Sequence, residues 1–135
     1  MSGKPRVLLA DDHESVRQAL GQLLAGPTDL VAEVSDGRQL LEHARRLSPD
    51  VVVTDIAMPE MSGLEAMRQL KAEGSTAIFV VLTVDRDPFM AAEAVRAGAA
   101  GYVLKDAAGD ELLDAIRAVT AGRTYPAPSG GTNSL

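Results

Sequence analysis

Asp11, Asp12, Asp55, Thr83 and Lys105 each stand at the end of an apolar run. The runs are Arg6-Val7-Leu8-Leu9-Ala10, Val51-Val52-Val53-Thr54, Ala77-Ile78-Phe79-Val80-Val81-Leu82 and Gly101-Tyr102-Val103-Leu104. A carboxylate at the tip of a buried strand costs free energy unless its charge is compensated. If the strand ends converge, like charges ~4 Å apart repel by roughly 4 kcal/mol per pair at an effective dielectric near 20. Lys105 alone neutralises part of this. A divalent ion is the economical complement, and an all-oxygen set with few carboxylates suits Mg²⁺. A cation, an ammonium and a hydroxyl around one carboxylate form a phosphoryl-binding set. Asp55 would then be the nucleophile, becoming an aspartyl-phosphate. Taken singly, each residue has an ordinary explanation: an acid pair capping a helix, a threonine bonding locally, a lysine in solvent. Their joint placement at successive strand ends favours a site.

The elements that must position these residues alternate along the chain. The first run is followed by helical spacing at Val16, Leu20, Leu23 and Leu24, closed by Gly26-Pro27. Leu30–Val34 reads as a second strand, and Leu40, Leu41, Ala44 and Leu47 as the apolar face of a second helix. Ser62 with Glu65 three residues later is a capping-box pattern, opening a helix that carries Leu64, Met67 and Leu70. Asp87-Pro88 marks the start of a fourth helix, whose stripe Met90, Ala94 and Val95 reads as core. Leu112, Leu113, Ile116 and Val119 place a fifth. Five strand–helix pairs with short connections predict a doubly wound α/β domain, because right-handed crossovers between parallel strands put helices on both faces. Burial on both faces explains strands that are continuous apolar runs.

Composition narrows the function further. The net charge of −6 argues against this segment gripping nucleic acid by itself. With no cysteine there is neither a disulfide framework nor a thiolate metal site. No apolar run approaches the ~20 residues that span a bilayer, and the chain reads as cytoplasmic, with no membrane partner. From Tyr125 the composition turns to Pro126, Pro128, Gly130 and Gly131. The expected organisation is one domain over residues 1–124 and a flexible linker or tail over 125–135.

The motifs Leu9-Ala10-Asp11-Asp12-His13, Val53-Thr54-Asp55-Ile56-Ala57-Met58-Pro59 with Gly63, Val81-Leu82-Thr83 and Gly98-Ala99-Ala100-Gly101-Tyr102-Val103-Leu104-Lys105-Asp106 match in order and spacing. On them the chain resembles a response-regulator receiver domain of two-component systems, over about residues 5 to 122. The last motif and the stretch from Asp29 to Gly37 are similar to the NarL/FixJ subfamily, whose receivers usually precede a LuxR-type helix-turn-helix. The resemblance implies a flavodoxin-like (βα)5 fold with strand order 2-1-3-4-5. It implies that Asp55 takes a phosphoryl group from a sensor histidine kinase. Asp11, Asp12, Asp55 and the backbone carbonyl of Ala57 would bind Mg²⁺, and Thr83 and Lys105 would contact the phosphoryl oxygens. Thr83 and Tyr102 would form the switch, and the activated form would be a homodimer acting on transcription through a DNA-binding domain outside this chain. A stand-alone receiver that signals by docking to a protein is the alternative. Self-phosphorylation and hydrolysis at Asp55 would be the only catalysis, so the chain is not expected to be an enzyme in the usual sense. A dehalogenase-type phosphatase is disfavoured, since the second acid it places two residues after the nucleophile is Ala57 here.

Two departures from the family pattern stand out. Val84 follows Thr83 where a small residue is common, which would narrow access for small phosphodonors. Asp106 follows the lysine where many receivers carry a cis proline. His13 and His43 read as surface residues, and Arg45-Arg46 as a solvated helix face. Met58 and Met67 read as packing, and Met61 as a loop residue of no assigned use.

Overall fold

The computed structural model describes residues 3–84 and 87–126. Five strands alternate with five helices: β1 Arg6–Ala10, α1 Glu14–Leu24, β2 Asp29–Val34, α2 Gly37–Leu47, β3 Val51–Asp55, α3 Gly63–Ala72, β4 Ile78–Thr83, α4 Pro88–Ala97, β5 Gly101–Leu104 and α5 Ala108–Thr120. A 3₁₀ turn, Lys105–Ala107, joins β5 to α5. The strands are parallel and ordered β2-β1-β3-β4-β5, the doubly wound, flavodoxin-like arrangement.

The apolar runs are continuous because alternate residues serve opposite faces of a sheet buried on both. Val7 and Leu9 of β1, Val51 and Val53 of β3 and Val80 and Leu82 of β4 pack with Leu24 of α1 and Leu112, Ile116 and Val119 of α5. Leu8, Val52, Phe79 and Val81 point the other way, into a core closed by Leu40 and Leu41 of α2, Met67 and Leu70 of α3 and Ala94 of α4. Met58 and Met61 also pack against this second core, which gives Met61 a structural use.

Local chemistry sets several helix ends. Asp36 accepts from Gln39 N–H at the start of α2, Ser62 from Glu65 N–H at α3, and Asp87 from Phe89 N–H at α4. Gly98 closes α4 at φ 114°, a conformation open to glycine without strain. The expected α4 stripe is corrected in part. Ala94 is fully buried, but Val95 is 63% exposed. One residue advances a helix by about 100°, so the residue after the buried Ala94 is carried off the sheet-facing side. Arg45 likewise does more than face solvent, since it forms a two-point ion pair with Glu73, the C-cap of α3.

The chain beyond α5 stays attached at Tyr125, which forms a parallel bridge with Gly101 on the outer edge of β5. Tyr125 N–H donates to Ala100 O at 3.0 Å, and Tyr102 N–H donates to Tyr125 O at 2.9 Å. The Tyr125 hydroxyl donates to Glu111 Oε1 at 3.1 Å, and the ring packs on the α1/α5 core. Residues 127–135 of the expected tail lie outside the described residues. Tyr125→Phe, which removes only the hydroxyl bond, is expected to cost about 0.5–1.5 kcal/mol in urea unfolding. Tyr125→Ala is expected to cost more and to speed amide exchange at Tyr102, because ring packing is lost as well.

Candidate functional site

Parallel strands gather the site by ending together. Each strand of a doubly wound sheet delivers its last residue to the same edge, where ligand sites of open α/β sheets lie. Asp11 follows β1, Asp55 ends β3, Thr83 ends β4 and Lys105 follows β5. In register, Ala10 pairs with Thr54, Asp55 with Leu82 and Thr83 with Leu104, so the four positions sit side by side. Asp11, Asp55 and Thr83 are buried.

Lys105 is the hub. Its Nζ donates to Asp55 Oδ2 at 2.9 Å, to Asp11 Oδ1 at 3.2 Å and to His13 Nδ1 at 3.2 Å. The ammonium also lies 3.1 Å from Asp11 Oδ2, close enough for charge attraction, although that oxygen is buried with no hydrogen-bond partner. Burial alone would lower the Lys105 pKa, but the bonds to Asp55 and Asp11 outweigh it and hold it above the ordinary value. The lysine therefore stays charged at neutral pH. Asp12 keeps its carboxylate partly in solvent.

His13, a surface residue by its sequence position, has a side chain that is 64% exposed. Its Nδ1 nevertheless reaches Lys105 and lies 3.5 Å from carboxylate oxygens of both Asp11 and Asp12. The available signal was its place directly after the two acids at a strand end, where the turn into α1 has little room to carry it away. Asp11 Oδ1 accepts from His13 N–H at 2.9 Å and so folds that turn back on itself. Ala57 is exposed two residues beyond β3, and Val84, next to Thr83, is 77% exposed. Tyr102, half-buried on β5, pairs in register with Val81. His43 is remote from the site, its Nδ1 bonded to Gln39 O within α2. The Lys105–Asp106 peptide is trans.

The acidic pocket has the donor set for a hard divalent ion. Asp11, Asp12, His13 and Asp55 each offer a ligand atom, and these atoms lie within 4.8 Å of one another. An octahedral ion with ligands at about 2.1 Å spans a comparable distance. The unpartnered buried oxygen of Asp11 fits that reading, since a buried acceptor left without a donor is otherwise costly.

Burial is the main reason the Asp55 carboxyl is pushed above the ordinary range near 3.8. Lys105 opposes the shift, and Asp11 and Asp12 add to it. A carboxyl harder to ionise folded than unfolded binds more protons in the native state. Stability therefore falls as pH rises from the unfolded value through the folded one. Asp55→Asn, a neutral isostere, is thus expected to melt higher than wild type at pH 7 in metal-free buffer. The difference should narrow as pH falls toward 3.8 and close well below it, where wild-type Asp55 is protonated in both states. Thermal melts across that range check it, and a lower melting temperature for Asp55→Asn at pH 7 would overturn it.

Comparison with known proteins agrees with this architecture. Residues 7–117 match the response regulator receiver domain family. The response regulator GacA of Pseudomonas aeruginosa is 40% identical over 126 residues, covering 91% of this chain and 58% of its own length. A transcriptional regulatory protein of Bacillus subtilis, YxjL, is 39% identical over 122 residues, covering 88% of this chain and 56% of its own. The chain thus spans somewhat over half the length of these relatives. Among solved structures, a LuxR-family two-component response regulator from Aurantimonas superposes with TM-score 0.86 at 33% identity, covering 94% of this chain and 92% of that one. The receiver domain of NarL from Mycobacterium tuberculosis also gives 0.86, at 29% identity, covering 90% of this chain and all of that one. By family match, sequence relatives and fold, the chain belongs to the response-regulator receiver domains, with NarL/LuxR-type regulators as its structural neighbours.

Proposed function

We propose that this domain is a phosphorylation-controlled switch in which Asp55 accepts the phosphoryl group of a sensor kinase's phosphohistidine. The observation that carries this reading is the charged Lys105 held 2.9 Å from Asp55, beside two further carboxylates. An Asp55 oxygen attacks phosphorus, the P–N bond breaks, and its electron pair leaves with the imidazole. Lys105 and the Thr83 hydroxyl meet the phosphoryl oxygens. Asp11, Asp12, Asp55 and the Ala57 carbonyl would hold Mg²⁺, which when bound offsets charge developing on those oxygens. Water later cleaves the acyl phosphate, so the chemistry is confined to Asp55 and no external substrate is turned over.

Thr83 drawn toward the phosphoryl group would free space for Tyr102, a two-state change biased by local charge. The readout we propose is homodimerisation and control of transcription through an attached DNA-binding domain in the cytoplasm. Relatives longer than this chain and named transcriptional regulators support it. Among the described residues no helix is long and apolar enough to cross a membrane. The test is intact-mass analysis with acetyl phosphate and Mg²⁺. One phosphoryl adduct is expected on wild type and none on Asp55→Asn; no adduct on wild type, or one that persists in the variant, would overturn the reading.

A further inference from the structure

A lysine ammonium has three N–H donors and no acceptor. In this site all three are used: on Asp55 Oδ2, on Asp11 Oδ1 and on His13 Nδ1. Because Lys105 can only donate, Nδ1 of His13 is the acceptor in this bond. His13 is therefore the one anchor of the ammonium that is not a carboxylate. The two carboxylates differ from it in an important respect: both belong to the acid cluster that would hold the divalent ion, and Asp55 is also the proposed phosphoacceptor. When Asp55 becomes an acyl phosphate and its neighbours take up a cation, their hold on Lys105 changes. His13 is neither the proposed phosphoacceptor nor one of the residues proposed to hold Mg²⁺. Its position is itself determined, since His13 N–H is bonded to Asp11 Oδ1 at 2.9 Å and His13 O accepts from Arg17 N–H at 2.9 Å in the first turn of α1.

We propose that His13 is a positioning residue for phosphoryl transfer. Its Nδ1 holds the Lys105 ammonium where the phosphoryl oxygens arrive. This inference rests on the phosphoacceptor reading of Asp55. A hydrogen bond to a charged group at this partly exposed position is expected to change the rate about tenfold.

The experiment follows labelling of the full chain by acetyl phosphate, with the initial rate read from intact mass across a Mg²⁺ titration. His13→Ala is expected to label about tenfold more slowly. His13→Asn, whose Oδ1 can stand where Nδ1 stands, is expected to restore most of the rate. The Mg²⁺ concentration at half-maximal rate should be the same in all three proteins, because the lost group anchors the lysine and not the ion. In a Lys105→Ala background, His13→Ala should add little, since the anchored group is already gone.

The proposal fails if His13→Ala labels at the wild-type rate or if Asn does not rescue. It also fails if half-saturation by Mg²⁺ moves with the His13 substitution, which would mark His13 as a metal ligand. An equal loss in the Lys105→Ala background would overturn it too, by showing that the effect bypasses the lysine. Absence of any adduct on wild type would instead bring down the phosphoacceptor reading itself, and this inference with it. Because the His13 side chain is 64% exposed, its substitution should leave the fold intact.

Discussion

Lys105→Ala is expected to slow phosphoryl labelling of Asp55 by about 10²–10³, the loss typical of removing one preorganised donor from a charge-developing site. The side chain is only 9% exposed, so its charge acts where water screens it poorly. Lys105→Arg should restore little of the rate. A planar guanidinium is larger and cannot place three donors around one point as the ammonium does on Asp55, Asp11 and His13. The same substitution has a second signature. Without Lys105, the buried Asp11 and Asp55 carboxylates lose their common counter-charge, so Lys105→Ala should melt below wild type in metal-free buffer. Added Mg²⁺ should then raise its melting temperature more than it raises that of wild type, by linkage to ion binding. Labelling within tenfold of wild type would remove Lys105 from the proposed machinery. Equal responses of the two proteins to Mg²⁺ would show that lysine and ion do not serve the same carboxylates.

Gly63→Ala is expected to damage stability and site together, by about 3 kcal/mol or more, the upper end of overpacking costs. A Cβ at Gly63 would overlap the backbone carbonyl oxygen of Asp55 and come within 2.8 Å of Thr54 Oγ1. Backbone against backbone leaves no flexible side chain to yield. The turn from β3 into α3 is also tied by Gly63 N–H donating to Ile56 O at 2.7 Å. Relief therefore requires moving either the start of α3 or the strand end that carries Asp55. Gly109 is the internal control: a Cβ there meets nothing within 4 Å, in the first turn of α5. Gly109→Ala should stabilise by about 0.5–1 kcal/mol through lower unfolded-state entropy. Urea unfolding of both variants measures the contrast. A Gly63→Ala protein as stable as wild type would show that the β3–α3 turn has slack the close approach denies.

Much of this protein could be read before any contact was known. Apolar runs ending on Asp11-Asp12, Asp55, Thr83 and Lys105 give strands buried on both faces, and helical spacing between them gives the crossovers. Parallel connection then forces the polar ends to one edge of the sheet. The site was legible because its residues sit at strand ends, the one place where topology converts sequence position into spatial position. The motifs for Ser62 and Asp87 worked for a related reason: a cap bonds to a backbone group two or three residues away.

Tertiary packing decided the rest. Val95 looked like core because spacing along one helix cannot say how wide a face its neighbours cover, and α4 buries little beyond Ala94. Tyr125 looked like the start of a linker because pairing to β5 depends on a distant strand edge that composition does not reveal. His13 looked like a solvated histidine. Its bond to Lys105, 92 residues away, exists only because β1 and β5 end at the same edge of one sheet. Local sequence determines which chemistry is present and which element carries it. The partner each group meets across the sheet is a long-range outcome of strand order and helix packing.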